Sequence, residues 1–427
     1  MVRCRDRTLK EASTQEYGEM TQTPSQRMIP RPIHPFPARM AASIPWNELR
    51  GTTRKRLRVL DPMAGSGTTV VVARTFGHEA IGFDTDPLSV LLARVWCSDV
   101  QESSTLSMAH QVLEVAKLRA CRLPLDEAYP AKANDETRRF VEYWFEETNR
   151  RQLAALARAI SDVRKAATRE LLWCALSRLI ITKQAGASLA LDVAHSRPHR
   201  ALDKTVIRPL DHFLRAVGQV LAGVPFKATA TGKPRATVIM ADARKLPLDA
   251  STIDVVVSSP PYLNAIDYLR GHKLSLVWMG YAVDDLRRIR AKNIGTEVAA
   301  GAELENPVIA CALAHMGDID EVPPRQRRWL ARYAADMDKA IGELHRVLVH
   351  GGRAVLVVGD STMRGAYVRN SGALAYLAER HGFQVARRRR RDLPPNRRYL
   401  PPPTLRDSGP MLQGRLRTEV LLDLVKR

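Results

Sequence analysis

Two short stretches of this chain carry residues whose types and spacing could do chemistry. The first reads Val59-Leu60-Asp61-Pro62-Met63-Ala64-Gly65-Ser66-Gly67-Thr68-Thr69, an apolar strand that ends in a carboxylate and a Gly-x-Gly turn before a helical run. Gly65 and Gly67 have no side chain to keep a ligand away and can adopt positive φ, while free amides at the next helix start could hold a carboxylate or phosphate. The second follows the apolar run Ile253 to Val257 and reads Ser258-Ser259-Pro260-Pro261-Tyr262. Consecutive prolines keep this loop extended and stiff, and the Ser259 hydroxyl and Pro260 carbonyl are two hydrogen-bond acceptors presented together. Such a pair suits an amino group conjugated to a ring, which becomes nucleophilic when its hydrogens are held and its nitrogen is drawn toward pyramidal geometry. Tyr262 offers a flat face on which a ring rotated out of its helix can stack.

A Gly-x-Gly turn alone fits many nucleotide sites, and two further strand ends narrow the choice. Ile81-Gly82-Phe83-Asp84-Thr85-Asp86-Pro87 places Asp84 where it can accept from both hydroxyls of a ribose, and Val238-Ile239-Met240-Ala241-Asp242 places Asp242 where it could accept from an adenine amino group. A P-loop is disfavoured, because no Gly-Lys-Ser/Thr follows the turn. A dinucleotide site is disfavoured too, since Val70 stands where the third glycine belongs.

The elements that must position these residues read as a doubly wound α/β sheet. Strands are predicted at Leu57 to Leu60, Glu79 to Phe83, Ala236 to Met240, Ile253 to Val257, Ala354 to Val358 and Glu419 to Val425, with a helix over Thr69 to Phe76. An amphipathic helix is predicted over Met337 to Leu348, stopped by Gly351-Gly352. Arg387 to Arg391 and the proline-rich turn around Pro394-Pro395 and Pro401 to Pro403 suit an exposed hairpin or loop. Between about 101 and 225 strand-like runs nearly vanish, while Arg138 to Val163 and Thr168 to Lys183 show helical spacing. The expected organisation is a flexible arm at 1–28, a first part of the main domain at 29–100, a helical insertion at 101–230, and a second part at 231–427 with a mixed insertion at about 282–330.

The chain has 427 residues, 45% of them hydrophobic, enough for a large α/β core and a second module. Lys and Arg number 66 against 45 Asp and Glu, a net +21 that favours a polyanionic partner, nucleic acid before an anionic membrane surface. Five scattered cysteines without a Cys-x-x-Cys pair indicate neither a zinc site nor a disulfide framework, and no metal is expected. No uninterrupted apolar stretch is long enough to span a bilayer and the opening residues carry no apolar leader run, so the cytoplasm is the expected compartment.

Together these residues resemble the amino-methyltransferases of DNA, which modify N4 of cytosine or N6 of adenine. Asp61 to Thr68 is similar to that family's Asp-Pro-x-x-Gly-Ser-Gly-Thr loop, and Ser259 to Tyr262 to its Ser/Asp/Asn-Pro-Pro-Tyr loop. His34-Pro35-Phe36-Pro37-Ala38-Arg39-Met40 looks like its N-terminal cofactor-contacting element. The resemblance implies a Rossmann-like methyltransferase sheet with a terminal antiparallel hairpin, and S-adenosylmethionine held by His34, Phe36, Pro37, Asp61, Pro62, Ala64, Gly65, Ser66, Gly67, Thr68, Asp84 and Asp242. It implies catalysis at Ser259, Pro260, Pro261 and Tyr262, double-stranded DNA as partner, and room for a cognate restriction endonuclease. The serine form of the loop is similar to the cytosine-N4 members. A cytosine-C5 enzyme is disfavoured, because Tyr262 and not a cysteine follows the prolines.

Phosphate contacts are expected from Arg197, His199, Arg200, Arg388, Arg389, Arg397 and Arg398. Two rival readings stand beside this one: an RNA methyltransferase acting on guanine N2, and a DNA-binding module that has lost activity.

Overall fold

The computed structural model describes residues 29–36, 39–52, 56–182, 185–193, 198–226, 236–262, 268–296, 302–317, 319–320, 322–363, 366–393 and 418–427. The predicted arm at 1–28, Pro37, Arg197, Arg397, Arg398 and the proline-rich turn lie outside them.

Arg58–Asp61 forms β1 of a seven-stranded sheet built by the described residues; in chain order the others are β2 (Glu79–Asp84), β3 (Ala236–Met240), β4 (Ile253–Ser258), β5 (Leu348–Gly359), β6 (Phe383–Asp392) and β7 (Thr418–Lys426). They lie in the order β3-β2-β1-β4-β5-β7-β6. Strands β1 to β5 pair in parallel, and β7 runs antiparallel to both β5 and β6. This is the doubly wound sheet with a terminal antiparallel hairpin that the sequence predicts. The chain winds outward in both directions from β1 and β4, so the crevice between their carboxyl ends is the topological switch point where such sheets bind ligands.

The central strands are apolar on both faces, as parallel strands covered on both sides must be: Ala354 to Val358 are all fully buried. One face packs on helices Thr68–Thr75 and Pro87–Trp96 and, in the same continuous core, on Glu102–Arg122, Glu147–Ser161, Ala166–Ile180 and Pro209–Gly223. The opposite face packs on Pro307–Ala314, Pro324–Val347 and Asn370–Arg380. Among the described residues no helix is long and apolar enough to cross a membrane.

Several boundaries differ from the sequence reading. The helix predicted over Met337 to Leu348 is Pro324–Val347, beginning on a proline whose missing amide costs nothing at a helix start. Gly351 and Gly352 do not stop it; they lie within β5, where the register jumps from Ile253 opposite Leu348 to Val255 opposite Arg353, and Gly351 takes φ +73° in that bulge. The apolar period from Arg138 to Val163 is broken by an extended Phe145 into Asp135–Trp144 and Glu147–Ser161. Arg387 to Arg391, by contrast, lie where an exposed hairpin was expected, in edge strand β6 of the terminal antiparallel pair, where charged side chains discourage further strand addition.

Candidate active site

Strand β1 pairs with β4 through Val59 opposite Val255 and Leu60 opposite Val256, so the two chemistry-bearing loops leave adjacent strands at the same edge. At that edge the buried Ser258 hydroxyl donates to the Asp61 carboxylate at 2.6 Å. Thr69 adds a second tether, its hydroxyl donating to the Val257 carbonyl at 2.9 Å. Burial raises the Asp61 carboxyl to about 6, against the opposing hydrogen bonds from Ser258 and the Met63 amide.

The glycine turn is fixed by its own backbone and by β2. Gly65 and Gly67 take φ +51° and +90°, and the Gly65 amide donates to Asp84 at 2.8 Å. A Cβ on Gly67 would lie 2.7 Å from the Ala93 Cβ and 2.8 Å from its Cα, so this glycine also admits the Pro87–Trp96 helix. Gly67→Ala is therefore expected to cost about 2–3 kcal/mol in chemical denaturation. Gly77, at φ +84° with nothing within 4 Å, supplies the control: Gly77→Ala should show only the backbone cost, about 1 kcal/mol. Equal losses in both would remove the helix contact from the explanation.

Pro62, Ala64, Ser66 and Thr68 are buried in this turn, and the Ser66 hydroxyl has no hydrogen-bond partner among the described residues. An orphaned buried hydroxyl beside two positive-φ glycines fits a turn made to close on a polar ligand. Asp84 takes the Gly65 amide on one oxygen and the Asp86 amide, at 2.9 Å, on the other, which leaves one lone pair on each for a pair of hydroxyls. Burial first, and the neighbouring Asp86 charge second, raise it to about 7.

At the end of β3 the Ala241 amide donates to the Asp84 carbonyl at 3.1 Å, so Asp242 follows beside the same crevice. Its carboxylate is already shared: Arg244 donates to it through Nε at 2.9 Å and Nη2 at 2.6 Å, and reaches Asp336 at 2.6 Å. Against the upward push of burial, these hydrogen bonds hold Asp242 below its usual range. An adenine amino group would share this acceptor with Arg244, a partner the sequence reading missed.

The N-terminal element divides. Phe36 lies on the turn, its Cε1 3.7 Å from where a Gly65 Cβ would be, and stacks on Tyr268 with centroids 5.7 Å apart. His34 is buried, with Nε2 3.0 Å from the Ser177 hydroxyl and Nδ1 without a hydrogen-bond partner among the described residues, and burial holds its pKa well below normal.

In the second loop, the Ser259 hydroxyl donates to the Val357 carbonyl at 3.2 Å and lies within hydrogen-bonding reach of the Tyr262 phenol. Pro260 is buried; Pro261 and Tyr262 are half-buried. The Tyr262 hydroxyl donates to Glu419 at 3.0 Å, and the other Glu419 oxygen accepts from Arg391 at 2.6 Å. Burial first and the Glu419 charge second keep the phenol protonated, well above the usual tyrosine range. Past the loop, helix Tyr268–Leu276 is anchored by the buried pair of His272 and Asp86, the latter also capping Pro87–Trp96 through the Leu88 amide. Asp86-Pro87 is a helix-start signal legible in the sequence. Nothing local marks Glu419, Arg391 or His272.

Of the expected phosphate contacts, His199 and Arg200 are exposed on a short hairpin, Ala190–Leu191 with His199–Arg200, and Arg388 is exposed on β6. Arg389 is engaged within the protein, donating to Asp423 at 2.6 and 2.9 Å and to Glu48 at 2.8 Å. Among the described residues no group of three or more His, Cys, Asp or Glu could hold a metal ion.

No family model matches the chain. It is 22% identical over 353 residues to the type II methyltransferase M.MvaI of Kocuria varians, spanning 78% of this chain and 77% of that protein. It is 22% identical over 269 residues to the type II methyltransferase M.BsoBI of Geobacillus stearothermophilus, spanning 58% and 52%. Among solved structures it aligns with a SAM-dependent methyltransferase of Methanosarcina mazei at 9% identity and TM-score 0.31, covering 87% of this chain and 92% of that one. An rRNA methyltransferase of Streptomyces viridochromogenes aligns at 10% identity and TM-score 0.28, covering 94% and 93%.

Proposed function

We propose that this chain transfers a methyl group from S-adenosylmethionine to an exocyclic amino group of a base in DNA, with N4 of cytosine preferred over N6 of adenine. The observation that supports the reading is the 2.6 Å hydrogen bond from Ser258 to Asp61, which ties the start of the glycine turn to the start of the Ser-Pro-Pro-Tyr loop. The names of the two curated relatives support methyl transfer to DNA, and the serine at 259 supports cytosine. Double-stranded DNA is the proposed partner, with a cognate restriction endonuclease as a second.

In this reading the turn from Asp61 to Thr68 and Phe36 would hold the cofactor, Asp84 would accept from its ribose hydroxyls, and Asp242 would share its adenine amino group with Arg244. When bound, S-adenosylmethionine supplies a methyl group on a sulfonium. The target base leaves the duplex and rests on Tyr262, while Ser259 and Pro260 accept the hydrogens of its amino group. The residues thus work mainly by placing the nitrogen, a form of catalysis worth several orders of magnitude.

Labelled methyl groups should enter duplex DNA and not total RNA, and mass spectrometry of the digested DNA should show N4-methylcytosine. N6-methyladenine would replace the base assignment, and label confined to RNA as N2-methylguanine would replace the substrate.

Asp84 gives the site a pH dependence. Ribose hydroxyls donating to it favour the ionised form, so the complex holds this carboxyl below the value of about 7 in the chain itself. Binding then releases a proton, and affinity for S-adenosylmethionine in calorimetry should strengthen from about pH 6 to about pH 8. Asp84→Asn should lose that slope; a slope retained in the variant would take Asp84 out of the cofactor site. For folding the sign is opposite to that of an ordinary paired carboxylate. The native chain binds this proton more tightly than the unfolded chain, so the stability it contributes falls as pH rises from about 4 to about 7.

A further inference from the structure

We infer that residues 292–295 wall the adenosine end of the cofactor site, with Thr85 and Arg244 as the positioning residues that hold them there. This rests on the cofactor reading above and adds to it a part of the chain that carries neither motif. The two carboxylates assigned to the ribose and the adenine stand at the carboxyl ends of neighbouring strands, since β2 pairs with β3 through Asp84 opposite Met240. A residue just past each is tied to the same distant segment. The Thr85 hydroxyl donates to Asn293 Oδ1 at 3.0 Å, across 208 positions of chain. Arg244, whose Nη2 holds Asp242 at 2.6 Å, donates through the same nitrogen to the Lys292 carbonyl at 2.5 Å. One segment therefore spans both strand ends at the edge where the carboxylates lie.

The segment is also anchored behind. Ile294 packs against the core that holds Tyr333 and Met337, and the Gly295 amide reaches Asp336 at 3.4 Å, the carboxylate that takes Arg244 Nη1 at 2.6 Å. Gly295 has φ +71°, and a Cβ there would lie 3.1 Å from the Tyr333 ring, so the chain turns at this point on a residue without a side chain.

Backbone geometry does not account for the asparagine. Asn293 follows helix Val283–Lys292, a position where asparagine commonly serves by turning left-handed, yet here φ is −65° and ψ +147°, which any residue can adopt. Its side chain is what the position uses: Oδ1 takes Thr85, and Nδ2 makes no hydrogen bond among the described residues. A half-buried amide donor beside Asp84 suits an adenosine, whose ring nitrogens are acceptors. Asp242 remains open to the same ligand, its side chain 36% exposed despite Arg244. An adenosine reaching from Asp84 to Asp242 then lies along 292–295.

The test measures affinity for S-adenosylmethionine, S-adenosylhomocysteine and methylthioadenosine, which share the adenosine and differ beyond it, together with thermal melting of the ligand-free chain. Thr85→Val keeps the shape and loses the donor, Asn293→Ala loses the acceptor and the free amide, and Thr85→Ser keeps the tie. The first two should each weaken all three ligands about three- to tenfold, the worth of one hydrogen bond, while Thr85→Ser stays within about twofold of the parent. Ligand-free melting should stay within about 3 °C of the parent in every variant. Parent-like affinities in Thr85→Val and Asn293→Ala overturn the wall, as does a loss confined to the two ligands that carry the amino-acid end. A loss matched by a larger fall in ligand-free melting overturns it too, and makes the segment a brace for the Asp242 loop. In each of these cases the parent still binds S-adenosylmethionine and the function stands; a parent that binds none of the three overturns the cofactor reading itself.

Discussion

Replacing Asp61 with alanine is expected to lower methyl transfer by about two to three orders of magnitude while leaving the melting temperature within about 4 °C of the parent. The two halves of that result come from different balances. In the native chain Asp61 is 2% exposed with no cation among its hydrogen-bond partners in the described residues, and its rise from 3.8 to about 6 corresponds to about 3 kcal/mol of destabilisation in the ionised state. The alanine variant removes that penalty and takes the acceptor from the buried Ser258 hydroxyl and from the Met63 amide, together at about 1–3 kcal/mol. These offset each other, so folding is nearly indifferent. Activity is not, because the same hydrogen bond holds the glycine turn against the loop that presents Ser259. A displacement of about 1 Å between reacting groups costs about a hundredfold. Methyl incorporation and thermal melting on one preparation check both halves; an active variant, or an inactive one that has unfolded, removes Asp61 from its assigned place.

What the sequence made legible follows from the range of the interactions. The sheet was readable because its central strands are buried on both faces and so appear as apolar runs, unbroken in Ala354 to Val358 and interrupted only by Asp254 in Ile253 to Val257. The glycine turn was readable because its chemistry is local: positive φ at Gly65 and Gly67 demands glycine wherever it occurs. The second loop was readable for the same reason, through its prolines. Interactions that complete the site join residues far apart in the chain, Ser258 with Asp61 and Tyr262 with Glu419, and no local pattern encodes such pairs. Charge is the clearest case of misplaced expectation. Arg388 and Arg389 are neighbours of identical type, yet one faces solvent and the other is bound by Asp423 and Glu48, a division set by the alternation of β6 and by what its partner strand offers. Asp242 shows the converse, a strand-end carboxylate visible in the sequence on which Arg244, two residues on, already donates to both oxygens.

Tyr262 carries the other large effect. Tyr262→Ala removes the face on which the target base rests, and stacking of about 1–3 kcal/mol per base sets a loss of roughly a hundredfold in kcat/KM for duplex DNA. The hydroxyl is expected to contribute separately. It ties the ring to Glu419, near the start of β7, and Arg391 of β6 fixes Glu419 in turn, so the terminal hairpin sets the angle of the aromatic face. Tyr262→Phe keeps the face and loses the tie; Glu419→Ala keeps the hydroxyl and loses its acceptor. Each should lower kcat about tenfold with little change in cofactor affinity, because a hydrogen bond to a charged acceptor is worth about 1.5–3 kcal/mol and only part of it acts on placement. If the two residues act through one another, the double variant should be no slower than either single one, a coupling above about 0.5 kcal/mol. Fully additive losses would mean that Glu419 supports the hairpin for its own sake, and a Tyr262→Phe variant with parent kcat would mean that the ring finds its angle without the tie.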